Sequence, residues 1–232
     1  MLRGDILKKT ARLLNLVNVC YTIPMLNSTQ TAIIPPEELA LPGNGLLWRM
    51  SVDTYHALVD AGTFASDEDV ELIHGYVVKK MPKNPSHAKA NQWLVMLIAQ
   101  MIGMNQGWYF AVQDPITLED SEPEPDLAIV RGTPDDHEGH PGPQDVGLAI
   151  EVADSSLDYD ENVKEQLYAI SGIVEYWIVN VRDKQIQVYT EPYRTEDRAG
   201  YRHQTNYVAG DAVPVILDGK EYGRIQVSDI LS

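Results

Sequence analysis

The chain has a single cysteine, Cys20, in 232 residues. That excludes an internal disulfide framework and makes a reducing, cytoplasmic setting the expectation. No apolar run reaches the length needed to span a bilayer, so no membrane partner is expected. Basic residues are scarce: 18 Lys and Arg stand against 34 Asp and Glu, for a net charge of −16. Such a balance favours solubility and works against general affinity for nucleic acid. Internal repeats are also absent, which excludes a solenoid or propeller. What remains is a chain long enough for one well-cored domain with an appended segment.

The appended segment is residues 1–46. Asp5 to Val19 has amphipathic helical spacing, with Ile6, Leu13, Leu14 and Val17 toward one side. Its basic start resembles that of a signal peptide, but Asn15 and Asn18 interrupt the apolar stretch and no small-residue cleavage site follows. Ser28 to Gly45 has linker composition, rich in Ser, Thr, Pro and Gly. Residues 1–46 are therefore expected to form a poorly ordered or loosely attached extension, and residues 47–232 the folded domain.

Within 47–232, Ser51 reads as the N-cap of a helix that stops at Gly62. Val70 to Val78 reads as a hairpin turning at His74-Gly75. Ser86 is placed as the cap of a longer helix ending at Gly103, with Trp93, Leu94, Leu97, Ile98, Met101 and Ile102 as its core stripe. Trp108 to Gln113 reads as a strand, with Ile116 to Leu118 as its continuation. Val174 to Asn180 and Gln185 to Tyr189 read as a hairpin around Arg182-Asp183-Lys184, and Ala212 to Leu217 as a short strand.

The chemistry lies between Glu122 and Tyr168. Leu127 to Val130 and Val146 to Val152 are short Ile- and Val-rich runs bounded by Pro, Gly and acids, the pattern of buried strands. Asp126 opens the first run and Glu151 lies near the end of the second. If the strands are neighbours, the two carboxylates converge. Buried carboxylates must be paired, protonated or bound to a cation, and Mg²⁺ or Mn²⁺ suits such hard oxygens. The bland readings are a turn acid for Asp126 and a solvent-facing edge acid for Glu151. A helix follows, on which Lys164 and Tyr168, four apart, share a face.

The order from Ser86 is helix, three strands, helix, two strands, which predicts an α/β (α+β) fold: a mixed central β-sheet flanked by helices. Pro125-Asp126 followed by Glu151 on the next strand resembles the PD-(D/E)XK nuclease superfamily. Within it, the chain resembles the bacterial restriction endonuclease family of the Uma type. The likeness rests on Tyr55-His-Ala-Leu-Val-Asp-Ala-Gly, Glu71-Leu-Ile-His-Gly, His87, Glu124-Pro-Asp, Ile150-Glu-Val, Lys164 four before Tyr168, and Gly172-Ile-Val-Glu-Tyr-Trp-Ile-Val.

That resemblance implies a restriction-endonuclease-like fold and a metal-dependent DNA endonuclease. It implies Asp126 and Glu151 as metal ligands, Lys164 as the catalytic cation, and Glu71, Glu124 and His87 as auxiliary residues. The superfamily pattern has Lys two residues after the second acid; here that position is Ala153, so Lys164 must reach in from the following helix. Alone, Lys164 reads as a solvated lysine, Glu71 as a hairpin surface acid, His87 as a structural residue beside a cap, and Tyr168 as packing. Pro115 to Glu165 carries fifteen acids against two basic residues, Arg131 and Lys164, which disfavours DNA at that surface. DNA binding then needs a basic patch elsewhere, a partner, or a homodimer, which is the expected assembly. Two other readings stay open: a non-catalytic, metal-stabilised interaction module of the same fold, and a small-molecule hydrolase using the same carboxylates.

Overall fold

In the computed structural model, residues 48–64, 68–103, 106–196 and 198–231 are described. The extension expected over residues 1–46, including the helix at Asp5–Val19, lies outside them. Ser51 caps helix α1 (Val52–Asp60), its hydroxyl accepting the Thr54 N–H. Strands β1 (Val70–Ile73) and β2 (Tyr76–Lys79) form a two-stranded antiparallel hairpin. Its turn holds His74 at φ 49° and Gly75 at φ 78°, the positive pair that a tight hairpin requires. A side chain at position 75 would also meet the Arg49 Cβ at 2.9 Å, so glycine is required there twice over.

Helix α2 (Pro85–Ile102) starts two residues earlier than a cap at Ser86 implies. Asn84 is the cap, its side chain accepting the His87 N–H, and Pro85 fills the first turn, where its missing donor costs nothing. Leu94, Ile98 and Ile102 face the core at i, i+4 and i+8. Trp93, expected in that stripe, is 38 % exposed instead. It is one residue off the stripe, and the sheet covers only one side of the helix.

The central sheet has six strands in the order β3-β4-β5-β6-β7-β8: β3 (Trp108–Ala111), β4 (Leu127–Arg131), β5 (Val146–Ala153), β6 (Glu175–Asn180), β7 (Gln185–Arg194) and β8 (Ala199–Tyr207). Every pairing is antiparallel except β5 with β6, so the sheet is mixed. The parallel pair needs a crossover, which α3 (Leu157–Tyr159), a π turn (Asp160–Lys164) and α4 (Glu165–Ile170) supply. Residues 116–118, expected as a strand continuation, belong to no strand. They precede Ser121 and Glu122, and the Glu122 backbone pairs with Leu72 on β1.

Strands β5 and β6 are buried throughout, which explains their unbroken apolar sequences. Leu127, Ile129, Leu148, Ile150 and Trp177 join α2, strand β9 (Ala212–Leu217), strand β10 (Lys220–Gln226) and helix α5 (Val227–Ile230) in one cluster. Ala128, Val130, Ala149, Tyr176 and Ile178 point the other way, toward Leu167 and Tyr168 on α4 and Ile73 on β1. Covering both faces of the middle strands leaves their ends as the place for polar groups. No helix of the described residues is long and apolar enough to cross a membrane.

Candidate active site

Asp126 immediately precedes β4. Because Leu127 pairs with Ile150 across the antiparallel β4–β5 ladder, one further step sets Asp126 opposite Glu151. Asp126 is 5 % exposed. Its Oδ2 accepts the Val152 N–H at 2.9 Å and a bond from His87 Nε2 at 2.9 Å. Its Oδ1 lies 3.6 Å from the Lys83 ammonium. Burial pushes the Asp126 pKa upward, but the His87 bond, the imidazole charge, the Val152 N–H and Lys83 together hold it below the ordinary value. A carboxylate can only accept, so Nε2 of His87 is its donor nitrogen. The other ring nitrogen, Nδ1, is buried without a partner.

Glu151 sits near the end of β5, on the α4 side of the sheet. Its Oε1 accepts the Lys164 ammonium at 3.2 Å and the Tyr168 hydroxyl at 2.8 Å. Both bonds fall on Oε1; Oε2 has no hydrogen bond among the described residues. Lys164 bridges on to Glu71 of β1, with Nζ 2.7 Å from Oε2. Burial raises the Glu151 pKa to about 7; Lys164 opposes the shift, while Asp126 and Glu71 add to it. Burial alone would lower the Lys164 pKa, yet Glu151 and Glu71 drive it up, so Lys164 stays charged.

The π turn sets Lys164 in place. The Glu165 N–H reaches back five residues to the Asp160 carbonyl, and both Asp160 and Lys164 are buried. Asp160 lies against the same group of charges; burial and Glu151 push its pKa well up, and Ser156 donates to its Oδ2 at 2.6 Å.

All six residues singled out in the sequence line one cavity of about 160 Å³: Asp126, Glu151, Lys164, Glu71, Glu124 and His87. Glu124 does not share a strand face with Asp126, since β4 starts only at Leu127. It stands at the cavity edge, bonded to Lys80, and its backbone N–H donates to Glu71. His87 does more than sit beside a cap, since it holds Asp126. Lys164 is not a solvated lysine. Tyr168, read as packing, is buried and also donates to Glu151. Sequence reasoning missed Asp160, although its signal was available: Asp160, Lys164 and Tyr168 are spaced four apart. Lys83 was missed as well, because nothing local says that it turns back over Asp126.

The donor set suits a small hard cation. Four carboxylates, from Glu71, Asp126, Glu151 and Asp160, are buried here with Lys164 as the buried ammonium. The surplus negative charge must be met by protons or by a cation, and the raised Glu151 and Asp160 are the expected sign of that surplus. Among the described residues no three His, Cys, Asp or Glu side chains converge into a closed metal cage. Mg²⁺ does not need one, because it binds through one or two carboxylates and keeps waters or phosphate oxygens in its remaining positions.

A profile of the family described as "Uma2: Putative restriction endonuclease" matches residues 52–217. No curated protein matches the sequence. Among solved structures, that of a putative nuclease belonging to DUF820 from Anabaena variabilis superposes with a TM-score of 0.59. The alignment has 14 % identity and covers 78 % of this chain and 97 % of that one, a likeness of fold.

Proposed function

The chain belongs to the Uma2 restriction endonuclease family over residues 52–217, and from that membership we propose that it is a metal-dependent DNA endonuclease hydrolysing phosphodiester bonds. The observation that carries the proposal is the meeting of Asp126 and Glu151 at adjoining strand ends, with the Lys164 ammonium 3.2 Å from Glu151, in a single cavity. Asp126 and Glu151 are the residues that would hold the ion, Mg²⁺ or Mn²⁺. When bound, the ion lowers the pKa of a water and polarises the scissile phosphate. His87 and the Val152 N–H fix the Asp126 carboxylate, and Tyr168 fixes Glu151. Glu71 anchors Lys164, whose ammonium steadies the charge that grows on the phosphate oxygens. In this fold Lys164 replaces the lysine absent at Ala153. A homodimer is part of the same proposal, and light scattering in solution measures it.

The test is cleavage of several DNA forms with Mg²⁺ or Mn²⁺. Wild type should cut, Asp126→Asn should fold but neither cut nor gain thermal stability from the ion, and Lys164→Met should cut roughly 10²-fold more slowly. Lys164→Met leaves Glu71 and Glu151 without their shared cation, so rates are compared below both thermal midpoints. Wild type that cuts nothing with either ion would sink the proposal. A second reading, a metal-stabilised interaction module without cleavage, is favoured by one observation: Lys164 is only 3 % exposed and already engaged by two carboxylates. On that reading Lys164→Met changes stability alone.

A further inference from the structure

The acidic balance of the chain is unevenly distributed. From Leu72 to Gln113 there is no Asp or Glu, while Lys79, Lys80, Lys83 and Lys89 fall within it. This run forms β2, the following loop and α2, and Lys79, Lys80 and Lys83 line the cavity that holds Asp126 and Glu151. Asp154, Ser155 and Ser156 line it too, beside the same loop: Asn84 donates to Asp154 and Ser155 to the Met81 sulfur at 3.8 Å, while Arg182 donates to the Asp154 carbonyl at 2.9 Å. The cavity therefore joins buried carboxylates to a basic lip formed by β2 and the loop after it.

The lysines differ in how they are held. Lys80 is tied to Asp69 at 2.7 Å and to Glu124, so its charge is already met. Lys79 is exposed, and its side chain has no ion pair or hydrogen bond among the described residues. The Lys83 side chain is 29 % exposed, and its ammonium stands 3.6 Å from Asp126 Oδ1, beyond hydrogen-bond length. That is a contact of charge alone, on a flexible stem. It also sets Lys83 against the oxygen that a divalent ion would take, where two cations repel.

We propose that Lys79 and Lys83 form the phosphate-docking lip of the site, contacting the backbone of a DNA duplex, with Lys83 leaving Asp126 for a phosphate when the ion arrives. This rests on the nuclease reading above and supplies what the overall charge withholds: a local positive edge beside the catalytic carboxylates. Neutralising a phosphate with a lysine releases counterions, so each contact steepens the salt dependence of binding by about 0.9 in the log–log slope.

The experiment is anisotropy of a labelled DNA duplex over a salt series, with Ca²⁺ in place of Mg²⁺, for wild type, Lys79→Gln, Lys83→Gln and the double variant. Lys220→Gln is the control. Lys220 opens β10, and its turn is joined through Asp218 to Arg131, at the end of β4 away from Asp126. The double variant should bind roughly tenfold more weakly, with a slope shallower by about 1.8. Calorimetry of Mg²⁺ alone, without DNA, should show Lys83→Gln binding the ion more tightly than wild type. That change is opposite in sign to its effect on DNA and follows from the 3.6 Å contact itself, so the salt slope on DNA is the readout that carries the lip. If wild type cleaves while the double variant keeps wild-type affinity and slope, the lip is overturned and the nuclease reading stands. If the slope falls as expected but nothing is cleaved, the lip stands and the nuclease reading falls. If wild type neither binds nor cleaves, both fall.

Discussion

A carboxylate near the end of an eight-residue strand buried along its whole length needs a proton or a positive charge beside it. Glu151 has Lys164, yet its pKa still rises from 4.5 to about 7, because burial and the neighbouring Asp126 and Glu71 outweigh that single ammonium. The folded state therefore holds a proton that the unfolded chain has already released between these two values. This stabilisation is fully present below pH 4.5 and is lost as pH rises through about 7, on the order of 3 kcal/mol at most. Glu175, also buried and raised to about 7 despite the bond from Trp177, acts in the same window and with the same sign. Without metal, the thermal midpoint of Glu175→Gln should still fall between pH 5 and 8, and that of Glu151→Gln/Glu175→Gln should fall less. Mg²⁺ competes with the Glu151 proton, so the ion-induced rise in midpoint should grow over the same range. A midpoint flat with pH in Glu175→Gln would show that Glu151 is not held protonated.

Among the elements, β5 carries the largest demands, because it is buried on both faces while pairing with β4 and β6. At Gly147 the Trp108 indole lies across the strand, and a Cβ would come within 2.6 Å of its ring and 3.1 Å of Leu217. Trp108 is held in place by Arg131, 4.8 Å over its ring, and by the Tyr222 hydroxyl at 3.2 Å, so it cannot step aside freely. Gly147→Ala should therefore destabilise the protein by about 1–3 kcal/mol, as overpacking does. It lies at the start of β5, away from Glu151, so urea denaturation should show the loss while the Mg²⁺ response stays intact. An unchanged urea midpoint would mean that the indole finds another place.

At the scale of the whole molecule, the described residues of both core clusters lie between Ile73 and Leu231. From the linker composition of the segment before Leu47, a chain beginning there is expected to unfold at the same temperature as the full chain, as scanning calorimetry can check. A clear drop would show that residues 1–46 contribute to the core. The net charge of −16 acts at this scale too. On the proposed nuclease reading, salt screens the long-range repulsion between this charge and DNA while it weakens the contacts of Lys79 and Lys83, so cleavage measured over a salt series should fall less steeply than those two phosphate contacts alone would require.

The sequence by itself determined most of the strands, the hairpin turns and the meeting of Asp126 with Glu151, although it placed a strand at residues 116–118 where none forms and did not set out β8 or β10. Unbroken apolar runs, glycine in a tight turn and acids at strand ends each report a local cause, and Asp126 and Glu151 were legible because a buried-strand pattern makes an acid conspicuous. The mixed order of the sheet was legible as a class, since helices alternate with strands. Other features were decided only by tertiary structure. Lys164 reads as a solvated residue until the π turn and β1 bring it between Glu71 and Glu151, a contact spanning 93 positions. The cap of α2 is the exception, a local feature misread, since Asn84 followed by Pro85 at the first helical position is a stronger start than Ser86. Trp93 left the expected stripe because the sheet covers one side of α2 only. Local pattern sets what a segment can form. Which charges meet, and which stay buried, depends on chain closure between distant residues, and no short window of sequence contains that.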